Sequence, residues 1–328
     1  MAHTSPGARV TTTGASPHSS GSTRLYVIFT LVIIAVLVGL DILFLAVINP
    51  ANRLGHHYYL ALGDSLTFGY QPDFNFTSGF ADDVFADIQK TGVTDLINYA
   101  CAGDSTTTMI EGGCPVRLIH HDAYTGAQLD ATLSFMRSHR GQINPVTLDI
   151  GSNDVLKDFD LATCQPTSTV NDDLAAMDQN LTHTILPQLL NALTSPTGAT
   201  TGNLFLLNYY NPFAKACPGS APFAHTLNDH LAADAAQFRV PVVDIYSAFG
   251  GDDHTADTIC TYTWVCDAAV EHDFHPTTQG YRLMADTIER TLGYPSVGTA
   301  SNPIQNAQPP IQSAPSAYWR PSSSFVHV

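Results

Sequence analysis

Three observations predict a three-layer α/β/α fold with a parallel central sheet. Short, mostly apolar runs recur between residues 58 and 245. Longer amphipathic runs separate them, and the links between the two kinds are short. Regular strand–helix alternation leaves each strand parallel to its neighbours, with helices covering both faces of the sheet.

The first run, Tyr58–Leu62 ("YYLAL"), is apolar or aromatic at every position, the pattern of a strand buried on both faces. Four more strands are read at Leu96–Tyr99, Val146–Ile150, Asn203–Tyr209 and Val240–Ile245. Helices are read at Gly79–Lys90, Gly126–His139, Val170–Leu193, His225–Phe238 and Thr278–Leu292. In the last, Tyr281, Met284, Ile288 and Leu292 recur at the three- and four-residue steps of one helical face.

The flanks differ in composition. Residues 1–24 form a Ser/Thr/Gly-rich arm, read as disordered and cytoplasmic. Residues 25–48 are almost wholly apolar and would span ~36 Å as a helix, enough to cross a bilayer. Arg9 and Arg24 precede this run without any acid, which keeps the N-terminus inside. A cleaved signal is the alternative. Its apolar region would be shorter and end in small residues, whereas this one ends in Val47, Ile48, Asn49 and Pro50. A linker follows at 49–57, then a folded domain at 58–293. A Pro/Ser/Gln-rich tail without strand or helix period occupies 294–328.

The expected location is therefore a cell membrane, single-pass, with the domain on the extracytoplasmic side. Secretion after cleavage is the second reading. Six cysteines and no Cys-x-x-Cys pair fit disulfides in an exported domain. Pairing in sequence order is expected, Cys101–Cys114, Cys164–Cys217 and Cys260–Cys266, because the first and last would close short loops. The formal charge of −16 repels a phosphate backbone, so nucleic acid is not an expected partner. The 14 histidines show no metal-ligand spacing, and neither a metal nor a cofactor is expected.

In a parallel sheet the ligand site lies beyond the carboxyl ends of the strands. Gly63-Asp64-Ser65-Leu66 follows the first strand, Ala102-Gly103-Asp104-Ser105 the second and Gly151-Ser152-Asn153-Asp154 the third. His272-Asp273-Phe274-His275-Pro276 precedes the last helix. Each alone reads as a turn, and Ser65 alone as a helix N-cap. Together they supply a nucleophile, a base and an orienting carboxylate, with a glycine amide and an asparagine amide for a developing oxyanion. Asp64 and Asp154 read as loop-holding residues that bond backbone amides.

On these blocks the chain resembles the SGNH hydrolases, also called GDSL esterases/lipases, over essentially all of residues 58–293. Ser65 in "ALGDSLT" matches the nucleophile block, Gly103 in "NYACAGDS" the glycine block, Asn153 in "DIGSND" the asparagine block and His275 in "DFHPTTQGY" the histidine block. The resemblance implies a five-stranded flavodoxin-like sheet and hydrolysis of acyl esters without cofactor. It also implies an oxyanion hole from the Ser65 and Gly103 amides and the Asn153 side chain. One position departs: the family's third triad member stands three residues before the histidine, and here that residue is His272.

Asp273, Glu271 or a backbone carbonyl then remain to orient the imidazole. Asp273 is the first choice, because residues two apart point the same way in extended chain. The expected protein is a monomeric carboxylic ester hydrolase acting on a small-molecule, lipid or acylated-sugar ester. A carbohydrate O-acetylesterase is the alternative within that chemistry. A non-catalytic binding domain is the alternative outside it, although binding alone does not require all four blocks.

Overall fold

The computed structural model describes residues 57–116, 119–253, 255–270 and 273–294. The arm at 1–24, the apolar run at 25–48, nearly all of the linker and the tail from 295 lie outside the described residues, as do Glu271 and His272. Among the described residues no helix is long and apolar enough to cross a membrane.

The elements run β1 (Tyr58–Gly63), α1 (Ser65–Phe68), α2 (Phe80–Ile88), β2 (Asp95–Asn98), α3 (Thr106–Glu111), α4 (Gln128–Ser138), β3 (Ile143–Asp149) and α5 (Ser152–Val155). A small hairpin, β4 (Phe159–Asp160) and β5 (Gln165–Pro166), leads to α6 (Val170–Asn180) and α7 (Leu186–Ala192). Then come β6 (Leu204–Leu207), α8 (Ala221–Gln237), β7 (Val242–Val243), α9 (Ile245–Ala248), α10 (Thr255–Tyr262) and α11 (Thr278–Leu292).

The main sheet is five-stranded and parallel, in the order β2-β1-β3-β6-β7. Tyr59, Leu60, Ala61 and Leu62 of β1, an interior strand, are fully buried, as their unbroken apolar run requires. The helices pack in two groups. On one side α2 meets α11, which also meets α9 and α10; on the other α3 meets α4 and α6, and α6 meets α8. The order reverses between β1 and β3, so the loops leaving these two strands open onto a topological switch point.

The boundaries differ from the expected ones for local reasons. The predicted strand Val240–Ile245 shrinks to Val242–Val243 because Asp244 caps a helix, accepting from the Ser247 N–H. The predicted helix Val170–Leu193 carries a π turn at Leu181–Ile185, just ahead of Pro187. Proline offers no N–H to the carbonyl four residues back, and the ladder shifts there. The predicted helix at His225 starts earlier, at Ala221, with Pro222 in its first turn.

Candidate active site

β1 ends at Gly63, whose φ of +142° and position against β3 admit no side chain: a Cβ would lie 2.0 Å from the Asp149 carbonyl oxygen. The side chain of Gln128 clamps this glycine, accepting from its N–H at 2.8 Å and donating to its C=O at 2.9 Å. Asp64, not Ser65, is the helix cap, since its Oδ1 accepts the Leu66 N–H at 2.9 Å. Ser65 is thereby moved to the first helical position. There its own N–H has no intrahelical acceptor, and it makes no hydrogen bond within the described residues.

Gly103 sits third in a turn closed by the Asp104 N–H donating to the Cys101 carbonyl at 3.0 Å. Its φ of +84° is the left-handed value that a type II turn demands at that place. Its amide, like that of Ser65, makes no bond to a described residue. The bridge Cys101–Cys114 anchors one end of this turn.

The histidine loop hangs from the end of α10. Trp264 donates its N–H to the His275 carbonyl at 3.0 Å, and Thr277 to the Tyr262 carbonyl at 2.9 Å. Tyr210 Oη donates to the Phe274 carbonyl at 2.8 Å. So held, His275 places Nε2 2.8 Å from Ser65 Oγ and Nδ1 2.8 Å from Asp273 Oδ1. The same Oδ1 accepts the His275 backbone N–H at 2.8 Å. Burial pushes the Asp273 carboxyl up, but the hydrogen bonds and charge of His275 outweigh it and hold the group below the usual carboxylate range. The ring of Tyr70 lies over His275, centroids 4.6 Å apart, and Phe274 stacks on its imidazole.

Asn153 closes the arrangement from the β3 loop. Its Nδ2 donates to the Asp104 carbonyl at 2.9 Å and to Asp64 Oδ2 at 3.2 Å. Of these two bonds the one to Asp64 is the longer. Asp64 is fully buried and also accepts from Ser152 Oγ at 2.9 Å. Burial raises its pKa to about 6, against the lowering effect of the Leu66 amide, Ser152, His275 and Tyr209. Asp154 ties the second and third loops together, accepting the Thr106 N–H at 2.9 Å and its hydroxyl at 2.6 Å. The four blocks therefore meet at one rim, as does Asp273.

Sequence reasoning missed the support beneath them. Gln128 and Asp149 lie inside elements read only as a helix face and a strand. Asp104 stands in a motif that was credited to its glycine. A polar residue amid an apolar run, such as Asp149 in "VTLDIG", is the available signal. Among the described residues no group of three or more His, Cys, Asp or Glu side chains could hold a metal ion.

The profile of the GDSL-like Lipase/Acylhydrolase family matches residues 61–283, which is most of the chain. The chain belongs to that family. It is a carboxylic ester hydrolase with an α/β fold. Among solved structures, this GDSL hydrolase is similar to Axe2, an acetylxylan esterase from Geobacillus stearothermophilus. The identity is 15%, with 75% of this chain and 99% of that one covered, and the TM-score is 0.48. It is also similar to an extracellular lipase from Streptomyces rimosus, with 18% identity, 71% and 99% covered and a TM-score of 0.46. A member of the lipolytic G-D-S-L family from Veillonella parvula DSM 2008 shows 19% identity, 72% and 98% covered and a TM-score of 0.43. A search of curated proteins finds no match.

Proposed function

We propose that Ser65 is the nucleophile of a two-step ester hydrolysis, with His275 as base and Asp273 as its orienting partner. The observation that carries this is the unbroken chain Ser65 Oγ to His275 Nε2, and Nδ1 to Asp273 Oδ1, each link 2.8 Å. Asp273 accepts a hydrogen bond from the Nδ1–H, which keeps that proton on Nδ1 and leaves Nε2 free to take the serine proton. Ser65 Oγ then bonds to the ester carbonyl carbon, whose oxygen becomes an oxyanion. The amides of Ser65 and Gly103 are unclaimed donors for it, and Asn153 Nδ2 exchanges its longer bond for the same oxygen. Collapse expels the alcohol, which leaves with the proton from His275. Water, deprotonated by His275, adds to the acyl-enzyme carbonyl; the bond from that carbon to Ser65 Oγ then breaks, Oγ takes the proton from His275, and the acid is released.

The test is Ser65→Ala, which should lower ester turnover at least about a thousandfold with folding unchanged, together with labelling of Ser65 by an organophosphonate. Near-normal turnover in the variant would remove Ser65 from the reaction. The three disulfides, Cys101–Cys114, Cys164–Cys217 and Cys260–Cys266, support an extracytoplasmic domain. We place it there on the membrane anchor read at residues 25–48. Cell fractionation should find the full chain in membranes, released by detergent and not by salt; a shortened chain in the medium would favour secretion.

A further inference from the structure

A cleft opens beside Ser65. Its polar lining includes Ser65, Ser152 and Asn153, and its apolar lining includes Leu156, Pro212, Phe213, Phe223, Ala224 and Leu227. No charged side chain lines it. The two tyrosines on the wall have their hydroxyl protons engaged elsewhere, Tyr210 on the Phe274 carbonyl at 2.8 Å and Tyr209 on Asp64 Oδ2 at 3.4 Å. A sugar hydroxyl entering this cleft would find few hydrogen-bond partners, whereas apolar side chains supply most of the lining on which an acyl chain could rest.

The wall is also fixed from behind. Phe159 of the β4–β5 hairpin stacks on Phe213 with centroids 4.5 Å apart and an interplanar angle of 12°, and lies 4.9 Å from Phe223. Cys164, in the turn of that hairpin, is bonded to Cys217, whose N–H donates to the Phe213 carbonyl at 2.7 Å. Phe159, Phe213 and Phe223 are all buried. Pocket walls pre-packed in this way discriminate by shape, since they need not reorganise around the substrate.

We propose that this cleft receives the acyl chain and selects unbranched aliphatic acyl groups of about four to eight carbons over acetyl. The proposal rests on Ser65 as nucleophile. The length follows from the wall: Phe223 to Leu227 is one turn of α8, ~6 Å, which an extended chain covers in about five bonds at roughly 1.2 Å each. Each methylene that enters should raise kcat/KM roughly fourfold until the cleft is full.

The experiment measures kcat/KM of the full-length chain in detergent on nitrophenyl acetate, butyrate, hexanoate, octanoate and dodecanoate. Hexanoate should exceed acetate at least tenfold, and dodecanoate should fall below octanoate. Ala224→Phe, which fills the cleft, should collapse the hexanoate-to-acetate ratio at least tenfold. Leu227→Ala, which lengthens it, should move the optimum to longer chains and keeps the proposal testable if the first variant misfolds. Acetate as the best substrate, or a chain-length profile unmoved by both variants, would overturn the pocket assignment while leaving Ser65 in place. Turnover that survives Ser65→Ala would instead defeat the nucleophile reading and this proposal with it.

Discussion

Asp273 stands two residues before His275, and a single carboxylate oxygen meets both the backbone N–H and Nδ1 of that histidine. The first contact is an Asx turn that shapes the loop, and the second is the one that the proposed mechanism uses to orient the imidazole. These two duties can be separated. Asp273→Asn keeps an oxygen that can accept the backbone N–H, so the loop is preserved, but a neutral amide cannot stabilise the imidazolium charge. Turnover should fall by roughly two to four orders of magnitude, with the melting temperature close to that of the parent. A loss below tenfold would leave Asp273 as a loop-shaping residue only. Alternation in extended chain puts Asp273 ahead of Glu271 and a backbone carbonyl; the shared oxygen is not legible in the sequence, because it depends on a turn that the local sequence permits without requiring.

At the scale of elements, the histidine loop is positioned by α10 and the turn that follows it. Cys260 and Cys266 bridge that turn, and the Trp264 and Thr277 amides bind the loop to it. Gly280, at the start of α11, approaches so closely that a Cβ would lie 2.0 Å from the Tyr262 carbonyl oxygen. Replacing Cys260 and Cys266 by serine removes a bridge of sequence separation 6, worth roughly 2 kcal/mol by loop entropy. The double variant should lose kcat several-fold while KM stays near the parent value, because the cleft walls stand on α8 and the β4–β5 hairpin. A rise in KM with kcat unchanged would place this bridge in substrate binding instead. The helix and strand periods were legible here, but the attachment of one loop to another depends on contacts between residues distant from any motif.

At the scale of the whole molecule, several carboxyls among the described residues are buried, and they make its stability depend on pH. Burial raises Asp64, Asp83 and Asp104 to about 6, and Asp234 and Glu289 to about 7. Each of these binds its proton more tightly folded than unfolded. Their stabilisation is fully present below the unfolded value of about 4 and is lost as pH rises through 6 to 7. Asp273 and Asp244 are lowered, burial being outweighed by their hydrogen bonds, and they act in the opposite sense, losing their contribution only below about pH 4. A formal charge of −16 adds self-repulsion as the carboxyls ionise. The melting temperature, scanned at constant ionic strength, should therefore be highest near pH 4–5 and decline toward pH 8. A rise from pH 5 to 8 would contradict this balance.

The sequence by itself determined the parallel α/β sheet and the four loops that carry Ser65, Gly103, Asn153 and His275. Hydrophobic periodicity and the turn residues after each strand are local properties of the chain, and the sheet topology then carries the loops to one rim. Only the tertiary structure decided how that rim is supported and what it faces. Asp64 at the centre of the donors, Gln128 across Gly63 and the Phe159–Phe213–Phe223 wall join residues whose nearest sequence neighbours say nothing of one another. Their partners lie on different elements, so no period or spacing records them. Buried polar groups find those partners, and apolar rings fill that space, only once the chain has closed.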